Sequence, residues 1–250
     1  MLIGQISTFY MVVSIIAGLF LPVMIWMFYT SFHVNAVFHK YNQRQAESCF
    51  TARHAVEKVL QEKGMFDINI ETCQGKLTDH FDPTNNTIYL SQTTADSSSV
   101  AALGVAMHEL GHAMQYADNY APVKIRTALV PAVNFTSKLS FPLILLSMFF
   151  EIFAYGSSVM KVSNFFLILA LVCYGTYCIF TLITLPTEFN ASKRAKQTLL
   201  DCNICNQDEI KDVSKVLSAA ASTYVASFAV SLIQVARLLM ILLSRRNDNN

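Results

Sequence analysis

Hydrophobic positions in this chain follow two alternating patterns. Four stretches are almost continuously apolar: residues 8–29, 139–155, 165–185 and 223–243. A helix needs roughly 20 such residues to cross a bilayer. The first stretch carries no charge, and Trp26, Tyr29 and Phe32 gather at its end as interfacial aromatics do. The N-terminus lacks the positive region and small-residue cleavage site of a secretory signal, which predicts an uncleaved anchor. Residues 139–155 are short for a full span and hold Pro142 and Glu151, the latter close enough to the run's end to snorkel outward. A polar turn at 156–164 joins this run to 165–185, predicting a helical hairpin. Gln234 and Arg237 in the last run are expected to face protein or the interface.

Between these runs the apolar residues become periodic. Thr51 suits the cap of a helix through Ala55, Val56, Val59 and Leu60, with Gly64 just past its end. Residues 67–71 alternate as a short strand does, and 87–90 read as a second. The turn residues Asp82-Pro83-Thr84-Asn85-Asn86 lie between them, so a small hairpin-like sheet is expected. One of Ser97, Ser98 and Ser99 should cap a helix to about Ala117, whose stripe Leu103, Met107, Leu110 and Met114 can bury. The layout is an anchor (1–30), a water-facing section (31–138), a transmembrane hairpin (139–186), a second polar helical section (187–222) and a final span with tail (223–250).

Composition strengthens the membrane reading. Of 250 residues, 53% are hydrophobic and 14% charged, against about a quarter charged in soluble domains. A net charge of +1 gives no reason to expect a nucleic-acid partner. Lys and Arg concentrate in 31–138 and 187–222, which predicts that both sections are cytoplasmic, although Arg245 and Arg246 run against that bias. Cys173 and Cys178 fall in an apolar run. Cys202-Asn203-Ile204-Cys205 is a lone CxxC without the second pair of a zinc ribbon, and reads as two free thiols in a cytoplasmic loop.

The periodic section carries the chemistry. His108-Glu109-Leu110-Gly111-His112 places two imidazoles four residues apart on one helix face, able to reach a single tetrahedral zinc. Glu109 is rotated round the helix, beside the metal rather than on it, where it can act as general base toward zinc-activated water. Gly111 and Ala113 are small enough for close packing there. Glu188 is a candidate third ligand, 80 residues beyond His108 and returned to the same side by the hairpin. Pro186 suits the first turn of its helix. His80, Tyr116 and Arg194 are candidate oxyanion donors. Asp82, like His80, is a candidate for substrate contact, with ordinary turn chemistry the favoured reading of both.

These residues resemble the YugP-type membrane zinc metallopeptidases over nearly the whole chain. The resemblance is carried by Leu77-Thr78-Asp79-His80-Phe81-Asp82-Pro83, by 101–115, by Tyr120-Ala121-Pro122, by Ala128-Leu129-Val130-Pro131 and by 185–192. It implies His108 and His112 as zinc ligands and Glu109 as catalytic base. Similarity to the wider HtpX-like peptidases, whose motif reads EFxAD, implies Glu188 as third ligand. Ser192 stands where that motif has Asp, so Asn190 and Ser192 both compete to orient a zinc histidine.

The expectation is therefore a mainly α-helical, membrane-embedded bundle with an HExxH helix and a small β-sheet, zincin-like and of gluzincin type. Its function would be zinc-dependent endopeptidase action on a peptide or membrane-protein substrate at the cytoplasmic face of a bacterial-type plasma membrane. An extended substrate would pair with an edge strand at 87–90. The rivals are an inactive zinc-stabilised scaffold, which has no need of Glu109, and a transport component, against which the sparse intramembrane charge speaks. Substrate identity and oligomeric state are not legible.

Overall fold

Local capping and turn chemistry set most element boundaries. The computed structural model describes the backbone of residues 2–153 and 157–248 and the side chains of 18, 21–150 and 160–245. The elements run α1 (Leu2–Asn42), α2 (Ala52–Glu62), β1 (Asn69–Cys73), β2 (His80–Asp82), β3 (Thr87–Ser91), α3 (Gln92–Ala95), α4 (Val100–Ala117), α5 (Ala121–Phe153), α6 (Ser157–Asp201) and α7 (Gln207–Asp248). Thr51 caps α2 by accepting from the His54 amide, and Gly64 follows its end with φ of 66°. Ser99, the last of the three candidate serines, caps α4 by accepting from the Ala102 amide. A reciprocal box starts α7: Asn206 Oδ1 accepts from the Glu209 amide while Glu209 Oε2 accepts from that of Asn206. The other Glu209 oxygen accepts from the Glu47 amide and ties down the chain after α1.

The sheet departs from the expected hairpin. Its order is β1-β3-β2, with β1 parallel to β3 and β2 antiparallel. The hairpin is β2–β3, turned by residues 83–86, and β1 begins two residues later than expected. Strand β3 is thus central, so the expected edge strand at 87–90 is corrected: β1 and β2 hold the edges. The reason lies in burial. Thr87, Ile88, Leu90 and Ser91 are all buried, which suits a strand paired on both sides. His80 and Asp82 belong to β2, and Asp82, its last residue, also opens the turn.

The polar stretches that flank the apolar runs prove to be helical continuations of them. α1 extends well past the first run, and α6 carries the run at 165–185 through Glu188 to Asp201 without a break. Pro186 therefore sits inside α6 and not in a first turn, as do Pro22 in α1 and Pro131 and Pro142 in α5. A proline forfeits one backbone bond there, a loss that long apolar helices tolerate when neighbours re-satisfy the freed carbonyl. The run at 139–155 is part of a 33-residue α5, so its shortness in sequence does not limit the helix. The polar turn expected at 156–164 is corrected, since residues from Ser157 on already belong to α6; residues 154–156 and the Glu151 side chain lie outside the described residues. Among the described residues four helices are long and apolar enough to cross a membrane: Leu21–Asn42, Ala121–Phe150, Met160–Asp201 and Gln207–Arg245.

The chain divides into two units, Tyr29–Lys124 with Thr184–Thr223, and Met1–Phe28 with Ile125–Ile183 and Tyr224–Asn250. The first holds the sheet and a core in which Val56, Ile88, Leu90, Leu103 and Leu110 are fully buried. In the second, Ser163 Oγ donates to the Ser147 carbonyl (2.9 Å) and the Thr181 and Ser231 hydroxyls meet at 3.0 Å.

Candidate metal centre

Helix α4 enters the core along the expected stripe: Leu103, Met107 and Leu110 are essentially inaccessible and Met114 nearly so. That orientation turns His108 and His112 to one side, with their rings edge to face at 4.8 Å between centroids. Gly111 makes the meeting with α6 possible. A Cβ built on Gly111 would lie 2.6 Å from the Ala191 carbonyl oxygen, so the two backbones touch where only hydrogen fits. Contact at Ala191 brings Glu188, one turn earlier on α6, over the histidines. Glu188 Oε2 lies 3.1 Å from His108 Nε2 and 3.6 Å from His112 Nε2. The donor atoms of His108, His112 and Glu188 all lie within 4.8 Å of one another, so the three expected ligands converge.

Each histidine is held from behind. The Ser192 hydroxyl sits 3.1 Å from His108 Nδ1. Gln115 Oε1 sits 3.0 Å from His112 Nδ1. The Gln115 amide nitrogen donates to the Thr187 carbonyl (2.7 Å) and to Asn190 Oδ1 (3.0 Å). Asn190 Oδ1 also receives Arg194 Nε at 2.8 Å, and Arg194 Nη1 pairs with Asp118. The direction of this chain is forced at both ends. Arg194 can only donate and the Thr187 carbonyl can only accept, so Gln115 must present oxygen to His112. His112 then carries its proton on Nδ1 and leaves the Nε2 lone pair for a metal. Ser192 can accept from Nδ1 of His108 to the same effect. Two such braced imidazoles and one carboxylate oxygen are the donor set of a tetrahedral zinc site, and the residues present fit that ion.

Glu109 stays out of the ligand group. Its Oε2 accepts from the Phe81 amide at 3.1 Å, across from the outer side of β2. Burial pushes its carboxyl above the ordinary value, outweighing the pull of His108 and His112. Asp79, just before β2, accepts from the Ser91 amide (2.7 Å) and from the Ser91 and Thr94 hydroxyls, and so fixes the strand that meets Glu109. Its carboxyl too is raised by burial, against those donors.

The other predicted residues separate. His80 is exposed and stacks on Tyr89 at 4.8 Å, with Nδ1 on the Thr78 carbonyl. Asp82 Oδ1 accepts from the Thr84 amide, ordinary turn chemistry. Tyr116 packs its ring on Phe81 at 5.6 Å. Arg194 is engaged by Asn190 and Asp118, and so braces Asn190. Asn190 and Ser192 do not compete, since Ser192 serves His108 directly and Asn190 serves His112 through Gln115. Gln115 and Asp79 were both missed as site residues: the complete burial of Gln115 and the contacts of Asp79 with Ser91 and Thr94 exist only in the fold. Cys202 and Cys205 are buried in the core rather than displayed in a loop, and burial pushes their thiols to about 11 and about 12.

Comparison with known proteins agrees with this geometry. The family model described as "Putative neutral zinc metallopeptidase" matches residues 16–243. The chain is 37% identical over 222 residues to "Putative membrane protease YugP" of Bacillus subtilis (strain 168), covering 89% of this chain and 94% of that one. No solved structure matches.

Proposed function

This chain belongs to the neutral zinc metallopeptidase family, and from that premise we propose that it is a membrane-bound, zinc-dependent endopeptidase of zincin-like, gluzincin type. The observation that carries the reading is the convergence of His108, His112 and Glu188 with Glu109 set apart beside them. When bound, zinc supplies a Lewis acid that acidifies water and polarises a carbonyl. The chain's own residues do the rest. His108 and His112 offer Nε2 because Ser192 and Gln115 occupy the opposite ring nitrogens. Glu109 Oε2 takes a proton from the attacking water and returns it to the leaving amine nitrogen. Its burial excludes bulk water from that transfer.

Strand β2 supplies the place for substrate. Among the described residues it pairs with β3 on one side only, and its Phe81 amide points at Glu109. An extended peptide laid along that outer edge would carry its scissile carbonyl past the base. The natural substrate class is a peptide or membrane-protein segment, and the Lys and Arg distribution favours the cytoplasmic face of a bacterial-type plasma membrane for the site. A zinc-stabilised scaffold is the rival. It has no use for Glu109, whose buried carboxylate costs stability.

Glu109→Gln tests the proposal. Zinc content should be unchanged while proteolysis of a denatured protein substrate falls by at least about 100-fold. Equal proteolysis in both proteins removes Glu109 from the reaction.

A further inference from the structure

We propose that a groove between α1 and α7, remote in sequence from the metal ligands and independent of them, binds the headgroup of an anionic phospholipid. The groove has a volume of about 390 Å³ and is lined by His33, Lys40, Tyr41, Lys215 and the hydroxyl-bearing Ser218 and Ser222, with Val37 and Ala219. Two ammonium groups, Lys40 from α1 and Lys215 from α7, each lie 5.4 Å from the centroid of the one Tyr41 ring. Drawing two like charges to one ring is unfavourable without an anion nearby. The protein provides little of one. Asp212 is the carboxylate on Lys215, at 2.8 Å, and it is shared with Arg44. Among the described residues Lys40 has no carboxylate partner, so the mouth of the groove keeps a positive excess.

The walls argue for an amphiphile over a free anion. The apolar lining is Val37 and Ala219, and Val37 and Tyr41 pack in turn on the buried cluster of Phe38, Ala101 and Val216. The apolar run of α1 ends just before His33, and that of α7 begins just after Ser222. The groove therefore occupies the polar end of both runs, at the level where phospholipid headgroups lie, and basic clefts between such helices are fitted to them. The phosphodiester would sit between Lys40 and Lys215 with the Ser218 hydroxyl as a further donor, and the first methylenes of the chain would cover Val37 and Ala219.

The test uses the full chain purified in detergent, with phosphatidylglycerol or phosphatidylcholine added and bound lipid read by native mass spectrometry. Wild type should retain phosphatidylglycerol over phosphatidylcholine. The pair Lys40→Gln and Lys215→Gln should weaken phosphatidylglycerol binding by roughly 25-fold, about fivefold for each lysine. The pair Lys63→Gln and Lys211→Gln removes the same charge outside the groove and should stay within about twofold. If the Lys215 change lowers the melting temperature, Lys40→Gln alone still carries its fivefold. Equal weakening by both pairs, or no preference between the lipids, overturns the proposal. Displacement of bound phosphatidylglycerol by equimolar inorganic phosphate also overturns it, in favour of a free-phosphate site.

Discussion

The two units of this chain solve opposite burial problems. In the unit built from Tyr29–Lys124 and Thr184–Thr223, large aliphatic side chains such as Ile88, Leu103 and Leu199 are fully buried. In the other, Phe141, Phe165 and Val172 stand 58–64% exposed while Ser147, Ser163 and Ser231 are hidden. Water drives the first arrangement. The second is the arrangement of a protein solvated by lipid, where apolar surface costs nothing to display and helices associate through small residues and interhelical hydrogen bonds. The lesson extends to polar chemistry. The first unit buries Glu109, Gln115 and Glu188, satisfied respectively by the Phe81 amide, by the Thr187 carbonyl with His112, and by His108. Among the described residues the second buries hydroxyls, of which Ser147, Ser163, Thr181 and Ser231 join its helices, and its half-buried Arg245 guanidinium reaches Ser163 and Asn164.

A charge on the lipid-facing side should break the comparison most severely. Val172→Asp is expected to cost about 3 kcal/mol in membrane insertion, read as the fraction of chain recovered in the membrane against Val172→Leu. If the unit faced water the change would be harmless. A methyl group inside the first unit should cost nearly as much. Gly111→Ala sets a Cβ against the Ala191 backbone and should destabilise by about 2–3 kcal/mol in denaturant unfolding. Gly104→Ala meets only the Val213 side chain at 3.0 Å and should cost about 1 kcal/mol or less. A reversal of that order would show that the α4–α6 approach is looser than the geometry says. The finest test concerns the brace on His112. Asn190→Leu should weaken zinc binding by roughly 10-fold, whereas Asn190→Asp keeps an acceptor for both Gln115 and Arg194 and should hold wild-type affinity. Competition against a chromophoric chelator reads both, and equal losses would reduce Asn190 to packing.

Sequence reading reached furthest where one local rule decides. Capping by Thr51 and by one of the serines before α4, the buried stripe of α4 and the closeness of His108, His112 and Glu188 were all legible. It failed where pairing is non-local. Nothing within 67–90 says that β1 joins β3 in parallel, because that choice depends on which strand the core buries on both faces. Pro186 misled for a related reason: a rule learned from helix starts in water does not hold in a long apolar helix such as α6. Gln115 was passed over since a polar residue on a helix announces nothing until burial is known, and the placement of Asp79 depends on Ser91 and Thr94 across the fold.

The central claim is that three side chains hold zinc and a fourth, Glu109, works beside them. The most direct measurement is zinc content after dialysis of the purified full chain and its Glu188→Ala and Glu109→Gln variants, each checked for an unchanged melting profile. The account predicts one zinc per chain in wild type and Glu109→Gln, and its loss in Glu188→Ala. A full equivalent of zinc retained by Glu188→Ala, or lost from Glu109→Gln, would contradict it.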